Sequence, residues 1–139
     1  MRRARAIDQA LVDAAKSLAA TRWPLGEAGA AAMYTASGRL LTSVCVDGLS
    51  DAVLLCHETG AICEAHKFDD PVTASVCVAR DDERSPFVVL PPCGVCCERL
   101  AFWGGDVEVA VPAPGGGWEA RLLRELLPHF WRGRWPGDA

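Results

Sequence analysis

The chain has 139 residues, of which 50% are hydrophobic and 23% are charged, a composition that predicts one globular domain spanning residues 1–139. The formal net charge is −4, and no basic patch suggests avid binding to nucleic acid, which argues against such a partner. No stretch approaches the roughly 18 apolar residues of a membrane span, and Asp8 and Asp13 interrupt any apolar core of a signal peptide.

The first half of the chain alternates between helical and extended patterns. Its predicted elements are an amphipathic helix over roughly residues 5–20, strands over 28–35 and 39–46, and a helix from about Ala52 or Leu55 to His66. The small polar turn at 36–38 makes the two strands a hairpin. Cys56 would then lie in the first turn of the second helix, where the helix dipole favours a thiolate.

The second half continues the alternation. Its predicted elements are a buried strand at 73–79, an extended run at 87–90, a helix from Cys93 to about Trp103, strands at 107–111 and 118–120, and a short helix at 122–127. The connection at 112–117 is too short to contain a crossover helix, so the last two strands should be antiparallel. The aromatic tail at 129–135 is not typical of a disordered end.

Seven cysteines are present, an odd number that disfavours a disulfide framework and favours a reduced, metal-binding protein in the cytoplasm. Three of them fall in two short motifs, Cys56-His57-Glu58 and Pro92-Cys93-Gly94-Val95-Cys96. Three thiolates can bind one Zn²⁺ and leave the fourth tetrahedral position to a water, whose pKa the metal lowers. A nearby carboxylate can then transfer protons, which is the equipment for hydrolytic deamination of a nucleobase.

At these residues the chain resembles the cytidine deaminase family, and most closely its blasticidin S deaminase branch. The matching segments are 30–32 with 37–40, Cys56 to Glu58, Pro92 to Cys96, and 124–128. The resemblance implies an α/β domain of three layers, α-β-α, with a five-stranded mixed sheet and helices on both faces. It implies one Zn²⁺ per chain bound by Cys56, Cys93 and Cys96, with Glu58 as the proton shuttle. A homotetramer is expected, with a homodimer as the alternative.

The chain departs from the family pattern around the expected substrate. Where members of the family share an N-x-E motif before the zinc cysteine, this chain has Cys45-Val46-Asp47. Glu27 stands where an aromatic residue is usual before the first hairpin. Cys45, Asp47 and Glu27 are therefore candidate substrate-binding residues, and Trp131 is a candidate wall against the substrate ring. The predicted substrate is a small-molecule cytosine nucleoside, a modified or antibiotic nucleoside, or another amino-heterocycle such as a purine.

Two other classes of protein stay open at this point. A non-catalytic zinc module would close the metal site with a fourth ligand, for which Cys97 and Cys63 are the candidates. A thiol-redox protein would use Cys93 and Cys96 without a metal. His57 lacks the second histidine of a metalloprotease motif and is predicted to be a neutral structural residue.

Overall fold

The computed structural model describes residues 5–139. Within these residues there are six strands and four α-helices, in the order α1 (Gln9–Arg22), β1 (Ala28–Thr35), β2 (Leu40–Ser43), α2 (Thr59–Lys67), β3 (Val72–Arg80), β4 (Val88–Leu90), α3 (Gly94–Leu100), β5 (Glu108–Pro112), β6 (Trp118–Leu122) and α4 (Leu123–Leu126). Short 3-10 turns occupy Asp51–Val53 and Ala101–Trp103. The helix and strand alternation therefore follows the sequence prediction closely.

The sheet is mixed, with β3 at its centre. Its strand order is β2-β1-β3-β5-β6, and among the strands of residues 5–139 the pair β3 and β5 is parallel while the other pairs are antiparallel. The sixth strand, β4, pairs antiparallel with residues 77–79 of β3. Strand β5 pairs with residues 74–75, nearer the start of β3. The sequence predicted five strands and did not count β4 as a sixth. Its three residues were predicted only as an extended run, because their pairing depends on β3, which is distant in the sequence.

Helices cover both faces of the sheet, which confirms the three-layer α-β-α fold. On one face, α1 packs Leu11 and Val12 against Tyr34 and Val76. On the other face, α2, α3 and the C-terminal tail form a second buried cluster that includes Leu100 and Trp135. All eight residues of β1 are buried, because this alanine-rich strand lies between helices on both sides.

The helix α1 begins later than predicted. Asp8 is its N-cap, and the carboxylate accepts a hydrogen bond from the backbone N–H of Leu11 at 2.9 Å. The same carboxylate accepts from the Tyr34 hydroxyl at 2.7 Å. Residues 5–7 therefore precede the helix, because the capping side chain is also anchored to β1.

The predicted start of the second helix, at Ala52 or Leu55, was wrong. Leu55 is held extended by a two-way backbone pairing with Val46, at 3.1 and 3.0 Å. An extended Leu55 cannot belong to a helix, so α2 begins only at Thr59. Cys56 therefore lies in the turn before the helix and not in its first turn.

The C-terminal tail packs onto the fold, as its aromatic content indicated. Trp135 is buried, and its ring stacks on Phe130 with centroids 4.0 Å apart. Among residues 5–139, no helix combines the length and the apolar character needed to cross a bilayer.

Candidate active site

The sulfur atoms of Cys56, Cys93 and Cys96 form one cluster in which all three lie within 4.8 Å of one another. Cys56 Sγ and Cys93 Sγ are 3.3 Å apart. Sulfurs bound tetrahedrally to one Zn²⁺ at ~2.3 Å would be separated by about 3.8 Å. The cluster therefore needs only a small expansion to bind a zinc ion.

Two chain turns bring the cluster together. Cys56 follows the extended Leu55 and is held by a turn in which its carbonyl accepts from the Thr59 N–H at 3.1 Å. Cys93 is the N-cap of α3, and Cys96 lies in the first turn of that helix. Residues three apart on a helix point the same way, so both α3 sulfurs face Cys56.

The electrostatics of the cluster fit a bound cation. Burial raises the pKa of Cys96, and the charges of Glu58 and Cys56 raise it further. Burial would also raise the pKa of Cys93, but the backbone N–H groups of Cys96 and Val95 outweigh it and lower the value. The protein alone thus lowers the pKa of one of these two thiols and raises that of the other, and a divalent cation is what would stabilise three thiolates.

The cluster has no fourth protein ligand among residues 5–139. Cys97 is buried and its thiol faces the Pro92 carbonyl oxygen at 3.5 Å. Cys63 is exposed on α2, outside the cluster. A three-ligand site with an open position is typical of catalytic zinc, whereas structural zinc has four protein ligands.

Glu58 lies immediately before α2 and is 5% exposed. Burial raises its pKa, and this outweighs the lowering effects of its own backbone N–H, of the Cys77 thiol and of the Arg99 charge. It is not part of the three-sulfur cluster, although it follows Cys56 by two residues. A carboxyl group with a raised pKa, next to a metal site, is suited to take up and return protons near neutral pH.

A helix-to-helix contact fixes the segment that carries Glu58. Arg99 of α3 donates a hydrogen bond from Nη1 to the hydroxyl of Thr59 at 2.7 Å. Because Thr59 is the first residue of α2 and Arg99 lies in the last turn of α3, this bond ties the start of α2 to the end of α3.

A groove of about 200 Å³ opens beside this site. It is lined by Trp23, Glu27, Ala28, Gly29, Cys45, Asp47, His57 and Ala79. Three of the predicted substrate-binding residues, Cys45, Asp47 and Glu27, thus lie in one groove. His57 joins the groove to the cluster, since it stands between Cys56 and Glu58 in the chain.

The fourth predicted substrate-binding residue lies elsewhere. Trp131 is 74% exposed, and its indole N–H donates to the carboxylate of Glu98 at 2.8 and 2.9 Å. It packs with Phe130 and Phe102 around a separate depression. Within one chain, Trp131 does not face the groove.

Two groove residues with large side chains, His57 and Trp23, are among those that were not predicted as site residues from sequence. The His57 ring and the Trp23 side chain both line the groove. His57 was predicted to be structural because a lone histidine carries no ligand spacing. The one signal in the sequence for His57 was Gly29 within the alanine-rich strand β1. A glycine inside a strand often marks a place where another group packs closely against the backbone.

Solved structures similar to this chain are cytidine deaminases. The enzyme from Bacillus anthracis is 45% identical, with a TM-score of 0.85 over 88% of each chain. The enzyme from Mycobacterium leprae is 26% identical, with a TM-score of 0.66 over 87% of this chain and 97% of that one. A mutant enzyme from Mycobacterium tuberculosis is 27% identical, with a TM-score of 0.69 over 90% and 95%. No protein-family model matches the chain.

The identity to the Bacillus anthracis enzyme extends over most of both chains, and the three cysteines supply the zinc site that deaminase chemistry requires. The chain therefore belongs to the cytidine deaminase family and is a zinc-dependent deaminase.

Proposed function

We propose that the enzyme hydrolyses the exocyclic amine of a cytosine nucleoside and releases ammonia. The observation that carries this proposal is the three-sulfur cluster with an open fourth position, next to the buried carboxyl group of Glu58. A substrate whose amine-bearing carbon lies beside the open position would meet both a nucleophile and a proton carrier. The similar structures are named as cytidine deaminases, which supports cytosine as the base.

The residues divide the chemistry between them. Zn²⁺ bound by Cys56, Cys93 and Cys96 would supply a water of lowered pKa at the open position. Glu58 accepts one proton from the attacking water and passes it to the ring nitrogen, then accepts the remaining hydroxyl proton and passes it to the departing amine, which leaves as ammonia. Burial raises the pKa of Glu58, so its carboxylate accepts a proton more readily than an exposed one.

The groove supports a substrate larger than the base alone. Asp47 and Glu27 bring two exposed carboxylates to its lining, and carboxylates accept hydrogen bonds from hydroxyl or amine groups. A modified nucleoside of the blasticidin S type is the second candidate. It is favoured by this pair of acidic residues together with Cys45, where the family pattern has different side chains.

Ammonia release from a panel of compounds tests the substrate class. The panel contains cytidine, 2′-deoxycytidine, free cytosine, blasticidin S, adenosine and guanosine, and the Glu58→Gln variant is the background control. We expect turnover of at least one cytosine nucleoside and none of the purines. Turnover of a purine with no cytosine derivative accepted would contradict the proposal.

We also propose a homotetramer, with a homodimer as the alternative. Large apolar side chains are exposed on the single chain, among them Leu49, Val53, Phe102 and Trp131. Association of copies would cover such residues, and it is the setting in which Trp131 could meet a substrate. Light scattering should give four chain masses, and a monomer at micromolar concentration would contradict this assembly.

We propose the cytoplasm as the compartment. All seven cysteines are free, and three of them form the zinc site. An oxidising compartment would threaten these thiols, so a reducing one fits the chemistry. Recovery of the native protein outside the cytoplasmic fraction of its cell would contradict this.

A further inference from the structure

The His57 ring fills a space in the groove that β1 leaves open by having no side chain at Gly29. A Cβ atom added to Gly29 would lie 2.5 Å from His57 Nε2 and 3.0 Å from the Val78 carbonyl oxygen. Gly29 is buried and pairs with Ala79 of β3, so the strand cannot easily move away. The glycine is therefore what admits the imidazole to the groove.

Two hydrogen bonds fix the orientation of this residue. The backbone N–H of Cys45 donates to His57 Nδ1 at 2.9 Å, and the Ser43 hydroxyl donates to the His57 carbonyl oxygen at 2.5 Å. Because Nδ1 accepts a hydrogen bond, the proton of the neutral ring must be on Nε2.

The Nε2–H group is free to meet a ligand. It has no hydrogen-bond partner among the described residues. Every buried side-chain nitrogen and oxygen in that part of the chain does have a partner, so Nε2 is not a buried atom. Nε2 therefore stays open to the groove. Asp47 and Glu27 line the same groove and only accept hydrogen bonds when ionised.

These side chains together match a hydroxyl group. A hydroxyl has one proton to donate and two lone pairs with which to accept. When it donates to a carboxylate such as Asp47, its lone pairs remain available to a donor. We propose that His57 is a substrate-specificity residue whose Nε2–H donates to a sugar hydroxyl, with Asp47 as the acceptor of that hydroxyl's proton. This inference rests on the proposed function, and what it adds is the hydrogen-bond donor, His57.

The test compares His57→Ala with His57→Asn. The Asn side-chain oxygen can replace Nδ1 as the acceptor for the Cys45 N–H, but it offers nothing at the position of Nε2. His129→Ala is the matched control, because this histidine is exposed and lies outside the groove. Each variant is assayed, zinc-loaded, for KM and kcat on the best nucleoside of the panel and for inhibition by the product nucleoside and the product base.

We expect both His57 variants to raise the nucleoside KM about three- to ten-fold, the range of one neutral hydrogen bond. The zinc content should remain at one per chain, kcat should change less than about two-fold, and inhibition by the product base should be unchanged. A native KM in His57→Asn would show that the ring only orients residues 43–45 and would overturn the inference. Equal weakening of nucleoside and base would also overturn it.

Failure of the proposed function gives a different result. If the native enzyme releases ammonia from no cytosine nucleoside, both proposals fall together. If it does so and His57→Asn behaves as the native enzyme, only the role of His57 falls.

Thermal stability gives a readout that is independent of turnover. Gly29→Ala should lower the Tm, and it should lower it less when the ring is removed by His57→Ala, because the two side chains compete for one space. An equal loss in both backgrounds would show that the ring does not occupy this position.

Discussion

Glu58 and Cys77 share a buried space beside the three-sulfur cluster. Burial first, then the Glu58 charge and the contact with the Glu58 carboxylate, raise the pKa of Cys77. Glu58 could be identified from sequence, because a carboxylate two residues after a metal-binding cysteine is placed to transfer protons at the metal site. The contact with Cys77 could not be predicted, because it depends on which face of β3 that cysteine occupies.

Asp47 is the groove residue whose proposed role is simplest to test. Asp47→Ala should raise the KM for a hydroxyl-bearing nucleoside about 10- to 100-fold, the range for a hydrogen bond to a charged group, and should leave zinc bound. The exposed Asp81 lies outside the groove, so Asp81→Ala is the control for removing one surface charge. An unchanged kcat/KM for Asp47→Ala would remove this residue from the site.

The turn before α2 and the start of α3 are the elements that build the metal site. The start of α3 at Cys93 was predicted well, because Pro91-Pro92 precedes it and Gly104-Gly105 ends the helical run. The start of α2 was not predicted correctly, because it depends on the pairing of Leu55 with Val46, and no local sequence pattern connects these two residues. Local sequence could therefore identify the ligands but not the backbone geometry that presents Cys56.

The three ligands come from two separate segments, so zinc binding and stability should be coupled. Cys96→Ala should lose zinc and lower the Tm by about 10 °C or more. Cys63→Ala is the matched control, because this cysteine is exposed on α2 and lies outside the cluster. Full zinc content and native stability in Cys96→Ala would show that the ligand assignment is wrong.

Asp70 ties the β1–β2 hairpin to the loop after α2. It is 6% exposed, and it accepts from the backbone N–H of Ser37 at 3.0 Å and from the Ser37 hydroxyl. Arg39 lies 3.7 Å from the same carboxylate. Burial would raise the pKa of Asp70, but the hydrogen bonds from Ser37 and Thr35 and the Arg39 charge outweigh it and lower the value.

A lowered pKa in the folded state means that ionised Asp70 stabilises the fold above the unfolded-state pKa of about 3.9. This contribution is lost as the pH falls through the still lower folded-state pKa. Asp70→Asn should therefore reduce the free energy of unfolding by about 1–3 kcal/mol between pH 5 and 8, and by less below about pH 4. Urea denaturation across this range checks it, and a deficit that grows on acidification would contradict it.

At the scale of the whole molecule, the sheet and its two helical layers follow from patterns that are visible in the sequence. The uncharged run in β3 predicted a central buried strand, and the short connection before β6 predicted an antiparallel pair. The groove could not be predicted, because its walls come from segments as distant as Trp23 and Ala79. Sequence thus supplied the reactive residues, and the fold supplied the cavity beside them.

The central claim is that Glu58 transfers protons without binding the metal. Glu58→Gln keeps the size of the side chain and much of its hydrogen bonding but cannot accept the proton of water. One preparation should be measured for zinc content, nucleoside affinity and single-turnover rate, with the native enzyme alongside. We expect full zinc, an affinity within a few-fold of native, and a chemical step slower by at least ~10²–10⁴. Near-native turnover with zinc retained would contradict the mechanism.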